Sequence, residues 1–155
     1  MLIVMALAGC ATYRLAGRDA DRLAYGAYLR GLMLERSAQL PGALDAYQLA
    51  LEHDHRSALL HVRVGATYLK LGQMDRALSQ FPHALELERD HPDALRWVAM
   101  LHASQGELDE AVAAYERLLG AEPEDVFVLS TLADLYVLQG ELSKAIGLYD
   151  RLIRL

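Results

Sequence analysis

The single cysteine, Cys10, carries the one thiol of the sequence. It closes an opening run of ten uncharged residues, MLIVMALAGC, in which the small residues Ala8 and Gly9 directly precede it. A thiolate is a nucleophile that can be alkylated, and small residues before it suit a processing peptidase. Without a second cysteine, an internal disulfide is excluded. The pattern favours covalent modification of Cys10 over a redox role.

The four residues Leu-Ala-Gly-Cys at positions 7–10 resemble the lipobox of bacterial lipoprotein precursors. The resemblance implies a signal peptide over residues 1–9 and a mature chain that starts at Cys10, held to a membrane by acyl chains. Ala11 is similar to the residue of lipoproteins sent to the outer membrane, where the chain would face the periplasm. Because nine residues without Lys or Arg are short for a signal peptide, we expect the true start to lie upstream. The alternative is an unprocessed apolar N-terminus.

Histidines are the other residues whose spacing could support chemistry, as metal ligands. His53 and His55 flank Asp54, with His61 shortly after, and alternating histidines can bind a transition metal. The simpler interpretation is that they are solvated residues around a helix junction. We therefore predict no metal site, while a weak one at His53 and His55 stays the alternative.

Several function classes are disfavoured by what the 155 residues lack. The sequence has no P-loop, no HExxH and no GxSxG motif, so we predict no catalytic residue, no cofactor and no enzymatic activity. A net charge of −6 without a Lys/Arg-rich stretch argues against nucleic-acid binding. No apolar run approaches the length of about 18 residues that a membrane-spanning helix needs.

The elements that must position any site are organised in an internal repeat of 34 residues. Small or aromatic residues recur at this spacing in four independent sets. The sets are Ala43, Ala77, Ala111 and Ala145; Tyr47, Phe81, Tyr115 and Tyr149; Gly31, Gly65, Ala99 and Ala133; and Gly72, Gly106 and Gly140. Apolar residues between them follow helical spacing. His102 takes the place that tyrosine holds in two other repeats, so we predict that it packs in the core.

The period and the residue types resemble the tetratricopeptide repeat, a pair of antiparallel helices. The resemblance implies an all-α, right-handed solenoid of helix pairs. A linker and helix start would occupy residues 10–23, and the repeats would run over residues 24–57, 58–91, 92–125 and 126–155, the last incomplete. In the first repeat, Ala38 replaces the glycine that ends the first helix of the other repeats.

In this family, the first helix of each repeat lines a concave groove that binds peptides. The resemblance implies a groove that takes an extended peptide or an amphipathic helix of a partner protein. The candidate groove residues are Tyr25, Tyr28, Leu32, Leu59, Val62, Leu69, Arg96, Met100, Phe127 and Asp134. Glu35, Lys70, Val137 and Leu138 occupy equivalent positions. The chain contains no asparagine, which disfavours the clamp by which related repeats hold a peptide carboxylate.

The last helix ends without the polar-faced capping helix that normally closes a solenoid, leaving Ile146 and Ile153 short of partners. We favour a fragment of a longer repeat protein over association of two copies through this end. The leading interpretation is a non-catalytic, outer-membrane-anchored interaction scaffold for envelope assembly of the pilus, secretion or barrel-assembly type. A soluble cytoplasmic adaptor and a repeat module of a larger enzyme are the alternatives.

Overall fold

The computed structural model describes the backbone of residues 2–155 and the side chains of residues 19–155. Over this range the chain forms eight α-helices and no strand. The helices are α1 (Leu2–Arg36), α2 (Leu40–His53), α3 (Ala58–Lys70), α4 (Met74–Leu87), α5 (Pro92–Gln105), α6 (Leu108–Ala121), α7 (Val126–Gln139) and α8 (Leu142–Arg154). We call α1, α3, α5 and α7 the first helices and the other four the second helices.

A residue with positive φ follows each first helix and turns the chain into the second. Ala38 has φ 56°, and the glycines at the other three turns have φ between 73° and 80°. The residue after each turn donates its N–H to a carbonyl five positions earlier, which satisfies a helix-end acceptor. These bonds run from Gln39 to Leu34, Gln73 to Tyr68, Glu107 to His102, and Glu141 to Tyr136.

The starts of three first helices are capped by side chains that are themselves 34 residues apart. Ser57, His91 and Asp125 each accept a hydrogen bond from the N–H three residues later, at 3.4, 3.4 and 3.0 Å. Such bonds satisfy amides that have no partner inside the helix. The helices that follow begin at Ala58, Pro92 and Val126, the first residues of the second, third and fourth predicted repeats.

The chain divides into two compact units, residues 1–80 and residues 81–155, with the division inside α4. In the first unit, α1 packs along α2, and α2 packs against α3. Ala27, Ala50 and Leu60 form a small buried cluster on which Tyr28 and Leu51 lie. The two alanines allow the helices to approach closely.

The second unit contains the larger apolar core, built where α5 packs on α6, α6 on α7, and α7 on α8. Its largest fully buried side chains include Tyr115, Leu95, Leu118, Leu129 and Leu132. The alanines of the repeat sets fit between them, since Ala99, Ala111, Ala133 and Ala145 are all buried. Small side chains at fixed spacing thus set the distance between neighbouring helices.

The membrane-related predictions concern the first residues of the chain. The predicted signal peptide over residues 1–9 and the lipidation site Cys10 lie outside the residues whose side chains the structure describes. In the described part, no helix is both long enough and apolar enough to cross a membrane.

Candidate peptide-binding surface

The predicted groove residues differ in how far their side chains reach solvent. Tyr25, Leu59, Met100, Phe127 and Asp134 are exposed, and Tyr28, Leu32, Leu69 and Arg96 are half-buried. Val62 is only 3% exposed, so it cannot contact a ligand directly. The reason is that α3 is covered on opposite sides, since Leu60 and Val64 are buried as well.

In the first unit, three of the predicted residues line one pocket of about 360 Å³. Tyr25 and Tyr28 come from α1, and Leu59 comes from the start of α3. The remaining lining residues are Asp21, Ala24, Asp54, Ser57 and Leu60. The Tyr28 ring packs 6.0 Å from the ring of Tyr47, between centroids, which fixes one wall. The pocket is therefore an aromatic and apolar recess with carboxylates in its lining.

Glu35 is the electrostatic centre of the first unit. Its Oε2 accepts the Tyr47 hydroxyl at 2.6 Å and its Oε1 lies 2.5 Å from Lys70 Nζ, while Arg63 approaches to 4.0 Å. Burial alone would raise the pKa of Glu35, but these three partners outweigh it and hold the pKa below its ordinary value. Burial, followed by the bond to Glu35, raises the pKa of Tyr47. Lys70 therefore has an ion-pair partner on α1.

In the second unit, Arg96 joins α5 to the start of α7. Its Nη2 donates to Glu122 Oε2 at 2.6 Å and to Asp125 Oδ2 at 2.8 Å. Its guanidinium carbon lies 6.0 Å from the centre of the Phe127 ring. The N–H of Val128 first, and Arg96 next, hold the pKa of Asp125 below its ordinary range despite burial. Arg96 therefore positions the first turn of α7 and the exposed ring beside it.

Asp134, also predicted as a groove residue, is held by the last helix. The Tyr149 hydroxyl donates to Asp134 Oδ1 at 2.5 Å, and this bond raises the pKa of the tyrosine. The contact crosses from α7 to α8, so Asp134 has a structural partner. Apolar side chains on α5 and α7 are also exposed in this unit.

Four large apolar side chains on these two helices reach solvent. Met100 on α5 is 41% exposed, and Phe127, Val137 and Leu138 on α7 are 50%, 45% and 69% exposed. Exposed apolar side chains mark an interaction surface when they form a contiguous patch. The first helices of the second unit therefore offer a surface that a partner can cover.

Over residues 19–155, no group of three His, Cys, Asp or Glu side chains is arranged to hold a metal ion. His61 Nδ1 instead lies 3.0 Å from Gln80 Oε1. The core position predicted for His102 is wrong, because its side chain is 28% exposed and bonds Glu107 at 2.6 Å.

Sequence reasoning missed the polar residues that surround the predicted ones. Asp21 precedes the first predicted repeat, and Asp54 lies between α2 and α3, yet both line the same pocket. Glu122 and Asp125 lie between α6 and α7 and neutralise Arg96. Asp54, Glu122 and Asp125 all lie between a second helix and the next first helix. Their place in these connecting segments was the signal that could have predicted them, since the chain there passes close to the first helices.

Two family models, both described as tetratricopeptide repeat, match residues 65–126 and residues 102–154. Together they span more than half of the chain. The chain belongs to the tetratricopeptide repeat family. No curated protein sequence matches it.

Solved structures of tetratricopeptide-repeat proteins share the fold at low identity. MamA aligns with a TM-score of 0.72 and 18% identity over 88% of this chain and 80% of its own. The first repeat domain of Spaghetti (RPAP3), solved with the HSP90 peptide SRMEEVD, gives 0.69 and 21% over 77% and 98%. YrrB, a repeat protein with an unusual peptide-binding site, gives 0.66 and 24% over 84% and 68%. The predicted all-α tetratricopeptide-repeat solenoid is therefore confirmed.

Proposed function

We propose that the chain is a non-catalytic interaction scaffold that binds an extended peptide or an amphipathic helix of a partner protein along its first helices. The observation that carries this proposal is the group of exposed Met100, Phe127, Val137 and Leu138 on α5 and α7. Arg96 on α5 bonds Asp125 directly before α7 and lies beside the Phe127 ring. A partner with alternating apolar side chains would cover this surface and gain the free energy of apolar burial.

The peptide-bound repeat domain of Spaghetti and the peptide-binding YrrB support this type of partner. The chemistry expected here differs from a charged clamp. Two predicted groove residues, Arg96 and Lys70, are cationic. Both form ion pairs with acidic side chains of the chain itself. We therefore expect apolar anchors in the partner to carry most of the binding free energy.

Selection of peptides from a random phage-displayed library on the full chain, followed by calorimetry, tests the proposal. We expect the selected peptides to lose about ten-fold or more in affinity when Phe127→Ala removes the exposed ring. Leu87→Ala is the matched control, because Leu87 is a similarly exposed residue on a second helix of the same unit. If no peptide is enriched, or if both variants weaken binding equally, the surface on α5 and α7 is not the binding site.

We propose further that Cys10 is lipidated and that the scaffold acts at the outer membrane, facing the periplasm, in envelope assembly of the pilus, secretion or barrel-assembly type. The support is the Leu-Ala-Gly-Cys motif at residues 7–10. Intact mass of the protein, expressed with its upstream sequence in a Gram-negative host, tests this. A chain starting at Cys10 with acyl groups is expected, and Cys10→Ser should abolish both cleavage and acylation. An unmodified mass that retains residues 1–9 would instead indicate the soluble cytoplasmic adaptor.

A further inference from the structure

The pocket of the first unit combines carboxylates with aromatic and apolar walls. Asp21 comes from α1 and Asp54 from the segment between α2 and α3, with Tyr25, Tyr28 and Leu59 completing the recess. At about 360 Å³, the volume lies near the lower end of the range for ligand pockets and suits one long side chain with its neighbours.

The charge of the lining has one sign only. No Lys, Arg or His lines the pocket, and within residues 19–155 neither Asp21 nor Asp54 makes an ion pair or a side-chain hydrogen bond. Other acids in the chain are treated differently, since Glu35 is paired with Lys70, and Asp125 with Arg96. Two unneutralised carboxylates facing one recess attract a cation.

The walls decide between kinds of cation. Tyr25 and Tyr28 stand three residues apart on α1 and therefore lie on the same side of the helix. A planar guanidinium can stack on such rings and donate to a carboxylate at the same time, which a compact ammonium does less well. Leu59, Leu60 and Ala24 give the methylene groups of a long side chain an apolar wall.

We infer that this pocket receives an arginine side chain of the partner, flanked by apolar residues that lie along the first helices. The inference rests on the proposed function, because it names a residue of the peptide that the scaffold binds. It adds a specificity element in the first unit, while the apolar surface of the second unit is a separate site that can be tested separately.

The test uses the full chain labelled with ¹⁵N and two synthetic probes. One is the peptide acetyl-Gly-Leu-Arg-Leu-Gly-amide, and the other carries citrulline, an uncharged analogue of the same shape, in place of arginine. We expect the arginine probe to shift the amide signals of Tyr25, Tyr28 and Leu59. The citrulline probe should bind about five-fold more weakly, as for the loss of exposed ionic and cation–π contacts.

Variants locate the charge that matters. The double variant Asp21→Asn with Asp54→Asn should weaken the arginine probe about five-fold and make it equal to citrulline. Asp45→Asn is the matched control, since Asp45 is an exposed acid on α2 that does not line the pocket. Tyr25→Leu keeps the wall apolar but removes an aromatic face, so it should reduce the preference for arginine.

The inference is overturned if the two probes bind equally, if the double variant behaves like Asp45→Asn, or if the pocket amides do not shift. These outcomes differ from failure of the proposed function. Peptides that depend on Phe127 but ignore the double variant would overturn the arginine pocket and leave the scaffold proposal standing. Absence of any Phe127-dependent peptide would count against the scaffold, whatever the arginine probe does.

Discussion

A β-carbon placed on Gly31 would lie 2.4 Å from Cε1 of Tyr47. Gly31 lies near the C-terminal end of α1, and the Tyr47 ring on α2 lies against it, fully buried. No real side chain fits at that distance, so α1 and α2 pack with a glycine and an aromatic ring as a matched pair. Both residues are members of 34-residue repeat sets.

Gly31→Ala should destabilise the protein because the added methyl group must displace the Tyr47 ring. We expect the free energy of unfolding to fall by about 2 kcal/mol, as for other overpacked cores. Urea denaturation followed by circular dichroism measures it. Gly26→Ala is the control in the same helix, since nothing lies within 4 Å of a β-carbon there, and it should raise stability by about 0.5–1 kcal/mol. Equal effects of the two variants on the free energy of unfolding would contradict the close contact between Gly31 and Tyr47.

Ala38→Gly should stabilise the protein. Ala38 holds φ 56° in the turn where the three equivalent positions carry glycine. A β-carbon in this left-handed conformation costs about 1–2 kcal/mol, which the entropy of a more flexible unfolded glycine offsets only partly. We expect a rise of 1–2 °C or more in the melting temperature, at about 2–4 °C per kcal/mol. Gly106→Ala should shift it the opposite way, and a fall for Ala38→Gly would contradict the argument.

Much of the fold could be predicted from the sequence because the repeat sets report packing directly. Gly31 and Tyr47 belong to two of these sets and touch in the fold, and glycine recurs at three of the four turns because the backbone there has positive φ. The His102 prediction failed although its register was right. Its ring has a carboxylate within reach at Glu107, so the side chain bonds at the surface instead of packing.

The candidate site was less predictable because it depends on contacts between distant segments. Val62 stands at a groove position, yet α3 is covered on both sides and buries it. Asp21 and Asp54 meet in one pocket only because α1, α2 and α3 pack together, and no repeat pattern links them. Periodicity shows which face of a helix is apolar, whereas charges between the repeats depend on the folded geometry.

Glu35 should make stability depend on acid pH. A carboxyl whose pKa is lower in the folded state stabilises the fold above its unfolded pKa, about 4.3, and loses that contribution as the pH falls through the folded pKa. The difference in unfolding free energy between the wild type and Glu35→Gln should therefore shrink between about pH 6 and pH 3. Glu52→Gln, at an exposed acid on α2, is the control. A difference that is constant with pH would contradict the role of the carboxylate.

Tyr136 should show the opposite dependence at alkaline pH. Burial, and then its hydrogen bond to Glu116, raise the pKa of Tyr136 to about 12. A neutral phenol favoured in the fold stabilises it fully below the unfolded pKa, about 10, and this is lost as the pH rises through the folded value. Glu116→Gln should lower the pKa, seen by ¹³C NMR of labelled tyrosine. Glu110→Gln is the control, because Glu110 is an exposed acid on α6, the helix of Glu116, and it should leave the pKa of Tyr136 unchanged.

Arg96 provides a test of whether cationic groove residues bind the partner or hold the groove in shape. Because Glu122 and Asp125 neutralise its guanidinium, we expect it to act by positioning α7 and the Phe127 ring. Arg96→Met keeps the stem but removes the charge, and should lower the free energy of unfolding by about 1 kcal/mol. In the Asp125→Asn background the loss should be smaller, since the two residues are coupled.

The binding readout separates the two roles. If Arg96 positions Phe127, Arg96→Met weakens a selected peptide with a free C-terminal carboxylate and the same peptide as its amide by the same factor. If Arg96 contacted the partner as an anion-binding residue, the free carboxylate would lose far more. Calorimetry with the carboxylate and amide forms of the peptide distinguishes these two roles of Arg96. We expect equal losses, because one guanidinium with two carboxylates forms a cluster of net negative charge, which does not attract a third carboxylate.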